Sequence, residues 1–158
     1  EIRLSLVGSE MCIRDRLDML SLAFKDFGNA VVSDIEFKRQ GKSYTYYTVN
    51  QIAALYPGAR LFLIIGQDQF VNFDSWYKWR DILNYVTLFA AARNENSKQI
   101  MIDSAKKIGI SDYVLSDAPP VVVSSSEIRD HIICGKDACD LLPADVLKYI
   151  KEKGLYLD

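Results

Sequence analysis

The stretch V-S-S-S-E-I-R-D, residues 123–130, places three hydroxyls in succession at what reads as a helix start, with an arginine one turn further in. A single serine at the N-cap satisfies one orphan amide and contributes about 1 kcal/mol. Three serines exceed that need. A helix N-terminus offers free N–H groups and roughly half a positive charge, a combination that attracts phosphate. Arg129 can add a forked, charge-assisted contact. A cation in a first turn is mildly unfavourable unless an anion is nearby. The pattern therefore favours an anion seat at Ser125, Ser126 and Arg129 over a cap alone.

Other polar groups fall where strands run into loops, the place where ligands bind in open α/β sheets. Gly66 and Asp68 follow the apolar run L-F-L-I-I (61–65), and Arg93 follows V-T-L-F-A-A-A (86–92). S-Y-T-Y-Y-T (43–48) marks a helix opening. Trp76 and Trp79 in W-Y-K-W lie at a spacing that shares a helix face, and pattern alone favours core for both. The alternative is that one indole stacks on a flat heteroaromatic ring. His131, the single histidine, reads as surface or core, not catalytic. With Cys134 and Cys139 it lacks a fourth ligand for zinc, so the thiols read as small and reduced, and no metal site is expected.

The elements needed to position these groups are visible as alternating patterns. Residues 31–37 (V-V-S-D-I-E-F), 61–65 and 86–92 read as strands, the second buried on both faces; 113–115 and 121–123 are shorter candidates. Leu17, Leu20, Phe24 and Phe27 recur at helical spacing before Gly28, as do Val49, Ile52 and Leu55 before Pro57. Trp76, Trp79, Ile82 and Leu83 form a further stripe. A helix is expected over 97–108 with Gly109 as its stop, and a last one from Pro143 to before Gly154. This alternation predicts one α/β domain with a mainly parallel sheet.

The chain has 158 residues, 49% apolar, enough for one sizeable core. A formal charge of -2 argues against a general nucleic-acid or membrane surface, so any phosphate site is local. No apolar run approaches the roughly 20 residues that span a bilayer. A cytoplasmic enzyme or binding domain is the expectation, with homo-oligomerisation open.

I-I-G-Q-D (64–68), W-Y-K-W (76–79), V-S-S-S-E-I-R (123–129) and L-L-P-A-D-V-L-K-Y-I-K-E-K-G-L-Y (141–156) together resemble the bacterial nicotinate-nucleotide adenylyltransferases. R-L-D-M-L-S-L-A (16–23) and S-Y-T-Y-Y-T fit the same family in order and spacing. The resemblance implies a Rossmann-like, nucleotidyltransferase-type parallel sheet with helices on both faces. It also implies the reaction: ATP and nicotinate mononucleotide, with Mg2+, give the deamido dinucleotide and pyrophosphate, a step of NAD biosynthesis. On that likeness Ser125, Ser126 and Arg129 hold the ATP phosphates, and Gly66 and Asp68 lie at the nucleotide crevice. Thr45 contacts the mononucleotide, Trp76 stacks on its pyridine ring, Tyr77 supports that pocket and Arg93 matches the arginine after the family's fourth strand.

The family's first strand and its phosphate-binding G-G-T-F-D-P-x-H-x-G-H motif have no counterpart in the chain, which reads as an N-terminally truncated member, so no catalytic residue is assigned and the expected activity is absent or weak. Residues 1–15 resemble nothing in the family and read as a non-native leader, with the nucleotidyltransferase domain over 16–158. Tyr47 stands where the family usually has aspartate, and Asn94-Glu95 where Pro-Gly usually follows the arginine. Two rival readings remain: a nucleotidyltransferase with another acceptor (nicotinamide mononucleotide or phosphopantetheine), and a mononucleotide-binding module without catalysis.

Overall fold

The computed structural model describes residues 13–92, 95–116, 124–136, 138 and 140–156. The chain's contacts group into two compact units, one within Ile35–Val121 and one within Ile2–Asp34 and Val122–Asp158.

The first unit is built on a parallel sheet of β1 (Leu61–Gly66), β2 (Val86–Ala91) and β3 (Tyr113–Ser116), in that spatial order. Leu63 pairs with Leu88, and Ala90 with Leu115, so apolar rows run across the sheet. Crossovers supply α2 (Thr45–Leu55) before the sheet, α3 (Gln67–Val71) and α4 (Trp79–Ile82) between β1 and β2, and α5 (Glu95–Ile108) between β2 and β3. Phe70, Phe73, Ile82, Leu88 and Met101 are fully buried and anchor one core with Val49, Ile65 and Ala90. Ser104 donates to the Val71 carbonyl at 3.2 Å and ties α5 to α3. At the opposite strand ends Thr87 donates to Asp112 at 2.7 Å, which satisfies a buried hydroxyl.

Three sequence expectations are corrected here. Residues 31–34 are irregular and 35–38 form a turn, not a strand; Val31 is 89% exposed. Alternation there found no buried surface to lie on, and strand propensity is decided by such packing. Second, β1 is not buried on both faces: Phe62 and Ile64 are 47% and 75% exposed while Ile65 is buried. Third, Trp76 and Trp79 share no helix face. A 3-10 turn at Phe73–Ser75 ends at Trp76 in extended backbone (φ -76°, ψ 145°), and α4 starts only at Trp79. Both indoles nevertheless pack against the core as the pattern implied. The helices expected before Gly109 and Gly154 end there, with φ of +78° and +63° that suit glycine. The strand expected at 121–123 lies outside the described residues.

The second unit packs α1 (Ile13–Ala23) on α7 (Ala144–Lys153) and also contains α6 (Ser125–Ile133). Tyr149 donates its hydroxyl towards Asp15 at 2.9 Å and Asp18 at 3.0 Å, and Lys25 pairs with Asp145 at the start of α7. Residues 13–15, assigned to the leader from sequence, thus form the first turn of α1. Lost hydration, then the hydrogen bonds to Asp15 and Asp18 and their charge, push the Tyr149 phenol above its usual pKa. The hydrogen bond to Asp145 raises Lys25 and lowers Asp145. Groups raised on folding stabilise fully below their unfolded pKa and lose that contribution as pH rises; a lowered carboxyl loses it as pH falls. Denaturant melts should therefore show the α1–α7 contact flat between about pH 4 and pH 10 and weakening outside that window. Tyr149→Phe should be less stable within the window, and its difference from the unmodified chain should vanish at higher pH. No helix of the described residues is long and apolar enough to cross a membrane.

Candidate nucleotide site

In the first unit the carboxyl end of β1 turns directly into α3 through Gly66. Gly66 is extended (φ -76°, ψ 165°), and a Cβ there would meet nothing within 4 Å. Glycine is thus not required by the backbone but leaves the strand end bare. Asp68 sits exposed in the first turn of α3, and its carbonyl accepts from the Asn72 side chain at 2.9 Å. Arg93 lies outside the described residues.

Thr45 is the first residue of α2, half-buried, and Tyr44 at the N-cap supplies no side-chain cap. The helix start is held by side chains around it. Arg39 donates to Thr48 at 3.2 Å and to Gln51 at 3.0 Å, and Thr48 donates to Glu36 at 2.6 Å. Trp76 is half-buried with its ring 5.2 Å from Phe73, while Tyr77 is 40% exposed and stacks on Tyr44 at 4.4 Å. Thr45, Trp76 and Tyr77 therefore belong to one unit, with Tyr77 touching the residue before Thr45. Sequence reading assigned no role to Tyr44 or Tyr46 and marked Tyr47 only as a departure from the family; all three meet Tyr77. The run of tyrosines in S-Y-T-Y-Y-T was the available signal, but its partner lies thirty residues on.

In the second unit the three serines divide their work. Ser124 is the N-cap of α6 (φ -112°, ψ 143°) and accepts from the Glu127 amide at 3.0 Å. Ser125 and Ser126 occupy the first turn and are exposed. Arg129 is also exposed and donates to the Ser126 hydroxyl at 3.3 Å. Among the described residues no carboxylate pairs with Arg129. Ser124→Ala should therefore cost about 1 kcal/mol of stability in denaturant melts, whereas Ser125→Ala, not being the cap, should cost under about 0.5 kcal/mol.

Among the described residues no three of His, Cys, Asp and Glu gather as metal ligands, and Cys134 is an exposed free thiol. Cys139 lies outside the described residues.

Residues 11–131 match the cytidylyltransferase-like family, which makes the chain a nucleotidyltransferase, and the parallel sheet with helices agrees with that class. A "probable nicotinate-nucleotide adenylyltransferase" of Borrelia garinii is 36% identical over 152 residues, covering 96% of this chain and 73% of that protein. Its counterpart in Borreliella afzelii is 37% identical over 152 residues, covering 96% and 75%. The Plasmodium falciparum nicotinic acid mononucleotide adenylyltransferase complexed with APC superposes with a TM-score of 0.71 at 17% identity, covering 92% of this chain and 76% of that one. The chain belongs to the nicotinate-nucleotide adenylyltransferase family.

Proposed function

We propose that the chain's activity is adenylyl transfer from ATP to nicotinate mononucleotide, giving deamido-NAD and pyrophosphate. The observation that carries this reading is family membership over nearly the whole chain. In the transfer, a 5′-phosphate oxygen of the mononucleotide forms a bond to the α-phosphorus of ATP. The bond from that phosphorus to the β-phosphate bridge breaks, and pyrophosphate leaves with the electron pair. No covalent protein intermediate is needed, so the chain's task is to position reactants and neutralise charge.

Ser125, Ser126 and Arg129 hold ATP phosphates in this proposal. Support comes from Ser124 serving as the cap, which leaves two hydroxyls on the first turn of α6 and an exposed guanidinium one turn further in. Gly66 and Asp68 face the nucleotide at the bare end of β1. Thr45, Trp76, Tyr77 and Arg93 receive the mononucleotide. The divalent cation that accompanies ATP is taken to be magnesium, whose hard oxygen ligands come chiefly from the triphosphate and water. The nucleotidyltransferase domain is taken as residues 16–158.

Two experiments test the acceptor. Tryptophan fluorescence should be quenched saturably by nicotinate mononucleotide, and more weakly by nicotinamide mononucleotide and phosphopantetheine. Pyrophosphate release with ATP and Mg2+ should follow the same acceptor order. Equal responses to all three compounds would overturn the nicotinate reading, and binding without any release would favour the non-catalytic module.

A further inference from the structure

We propose that Tyr47 is a positioning residue for the acceptor: with Tyr44 and Tyr46 it clasps Tyr77 and Lys78, and so holds the Trp76 turn against the start of α2. The proposal rests on the reading of Thr45 and Trp76 as the mononucleotide pocket. Three tyrosines at the start of α2, one at its N-cap and two in its first turn, meet one tyrosine and one lysine that follow Trp76. Tyr77 stacks on Tyr44 at 4.4 Å, meets Tyr46 edge-on at 6.0 Å and lies 6.0 Å from Tyr47. The Lys78 ammonium lies 4.6 Å from the centre of the Tyr46 ring and 5.7 Å from that of Tyr77. On the outer side the Arg39 guanidinium lies 5.9 Å from the Tyr47 ring centre and also binds Thr48 and Gln51.

The turn needs such support. Lys78 is left-handed (φ 53°, ψ 40°), a conformation side-chain-bearing residues avoid. Burial alone does not hold the cluster: Tyr46 packs against the core, but Tyr47 and Tyr77 are 41% and 40% exposed. Directional ring and cation contacts do. On its other side Trp76 leans on Phe73. The indole thus rests on Phe73 while its chain neighbour Tyr77 sits in the clasp, so the turn that carries it is set before a ligand arrives. Setting it in advance removes an ordering cost from binding.

The test uses Tyr47→Ala and Tyr47→Phe in the full chain. In a Trp79→Phe background without ligand, acrylamide should quench Trp76 more readily in Tyr47→Ala than in the parent, with Tyr47→Phe between them. KM for nicotinate mononucleotide should rise about five- to tenfold in Tyr47→Ala. The rise should be about threefold in Tyr47→Phe, which keeps the ring and loses the hydroxyl. KM for ATP and kcat should stay within about twofold, a split that general loss of stability does not produce. Parallel rises in both KM values, or unchanged quenching and unchanged mononucleotide KM in a folded Tyr47→Ala, would overturn the proposal. If the parent fails to respond to the mononucleotide while Tyr47→Ala still loosens Trp76, the acceptor assignment falls and the clasp itself stands.

Discussion

Replacing Arg129 by alanine should weaken ATP binding about 10- to 150-fold, the range of one charge-assisted contact worth about 1.5–3 kcal/mol. Stability should barely change, because the guanidinium is exposed and among the described residues bonds only to the Ser126 hydroxyl. Surface substitutions of this kind stay within about 0.5 kcal/mol. The cap of α6 is untouched, since Ser124 supplies it. Mononucleotide affinity should be unaltered, which separates phosphate anchoring from a general loss of structure. Arg129→Lys should recover only part of the loss, because an ammonium is a point charge and cannot present two parallel donors. Isothermal titration with ATP and Mg2+, and separately with nicotinate mononucleotide, reads both arms. Unchanged ATP affinity in Arg129→Ala would remove the serine-arginine turn from the site.

The opposite selectivity is expected at Trp76. Stacking of a heterocycle on an aromatic side chain contributes about 1–3 kcal/mol, so Trp76→Ala should raise the Kd for nicotinate mononucleotide about 5- to 150-fold. Affinity for ATP should stay within about twofold. Trp76 also packs on Phe73 and borders the core, so the alanine variant will lose stability as well. Trp76→Phe separates the two roles. It keeps a flat ring and much of the packing, and should retain most stability with an intermediate mononucleotide affinity. Unfolding curves for both variants, set beside the titrations, decide the matter: if affinity falls only in proportion to the unfolded fraction, Trp76 is core and nothing more.

The serine triplet shows how far sequence could go. That one serine would cap and the others would remain was readable from three hydroxyls at a helix start. Which serine caps follows from the backbone angles of Ser124. The tryptophan motif was read less well. Spacing suggested one continuous helical face, but the chain breaks at Trp76 and restarts at Trp79, with Lys78 left-handed between them. No local rule expects a lysine in that conformation, and here the Tyr46 ring of α2 and the adjacent Tyr77 ring accompany it. The strand expected at 31–37 failed for the same reason in reverse: β-branched alternation was present, and a surface to bury it against was not.

What the amino-acid order decides here is local and periodic. Glycines at 109 and 154 stop helices because only they enter left-handed backbone cheaply, and apolar runs at 61–65 and 86–91 become parallel strands because crossovers of helical period separate them. What folding in three dimensions adds is non-local: which face of β1 meets the core, and how Tyr44, Tyr46 and Tyr47 come to grip Tyr77 and Lys78. Spacing along a chain sets the period of each element. It does not set the neighbours that one element meets in another, and those contacts hold the proposed acceptor pocket in shape.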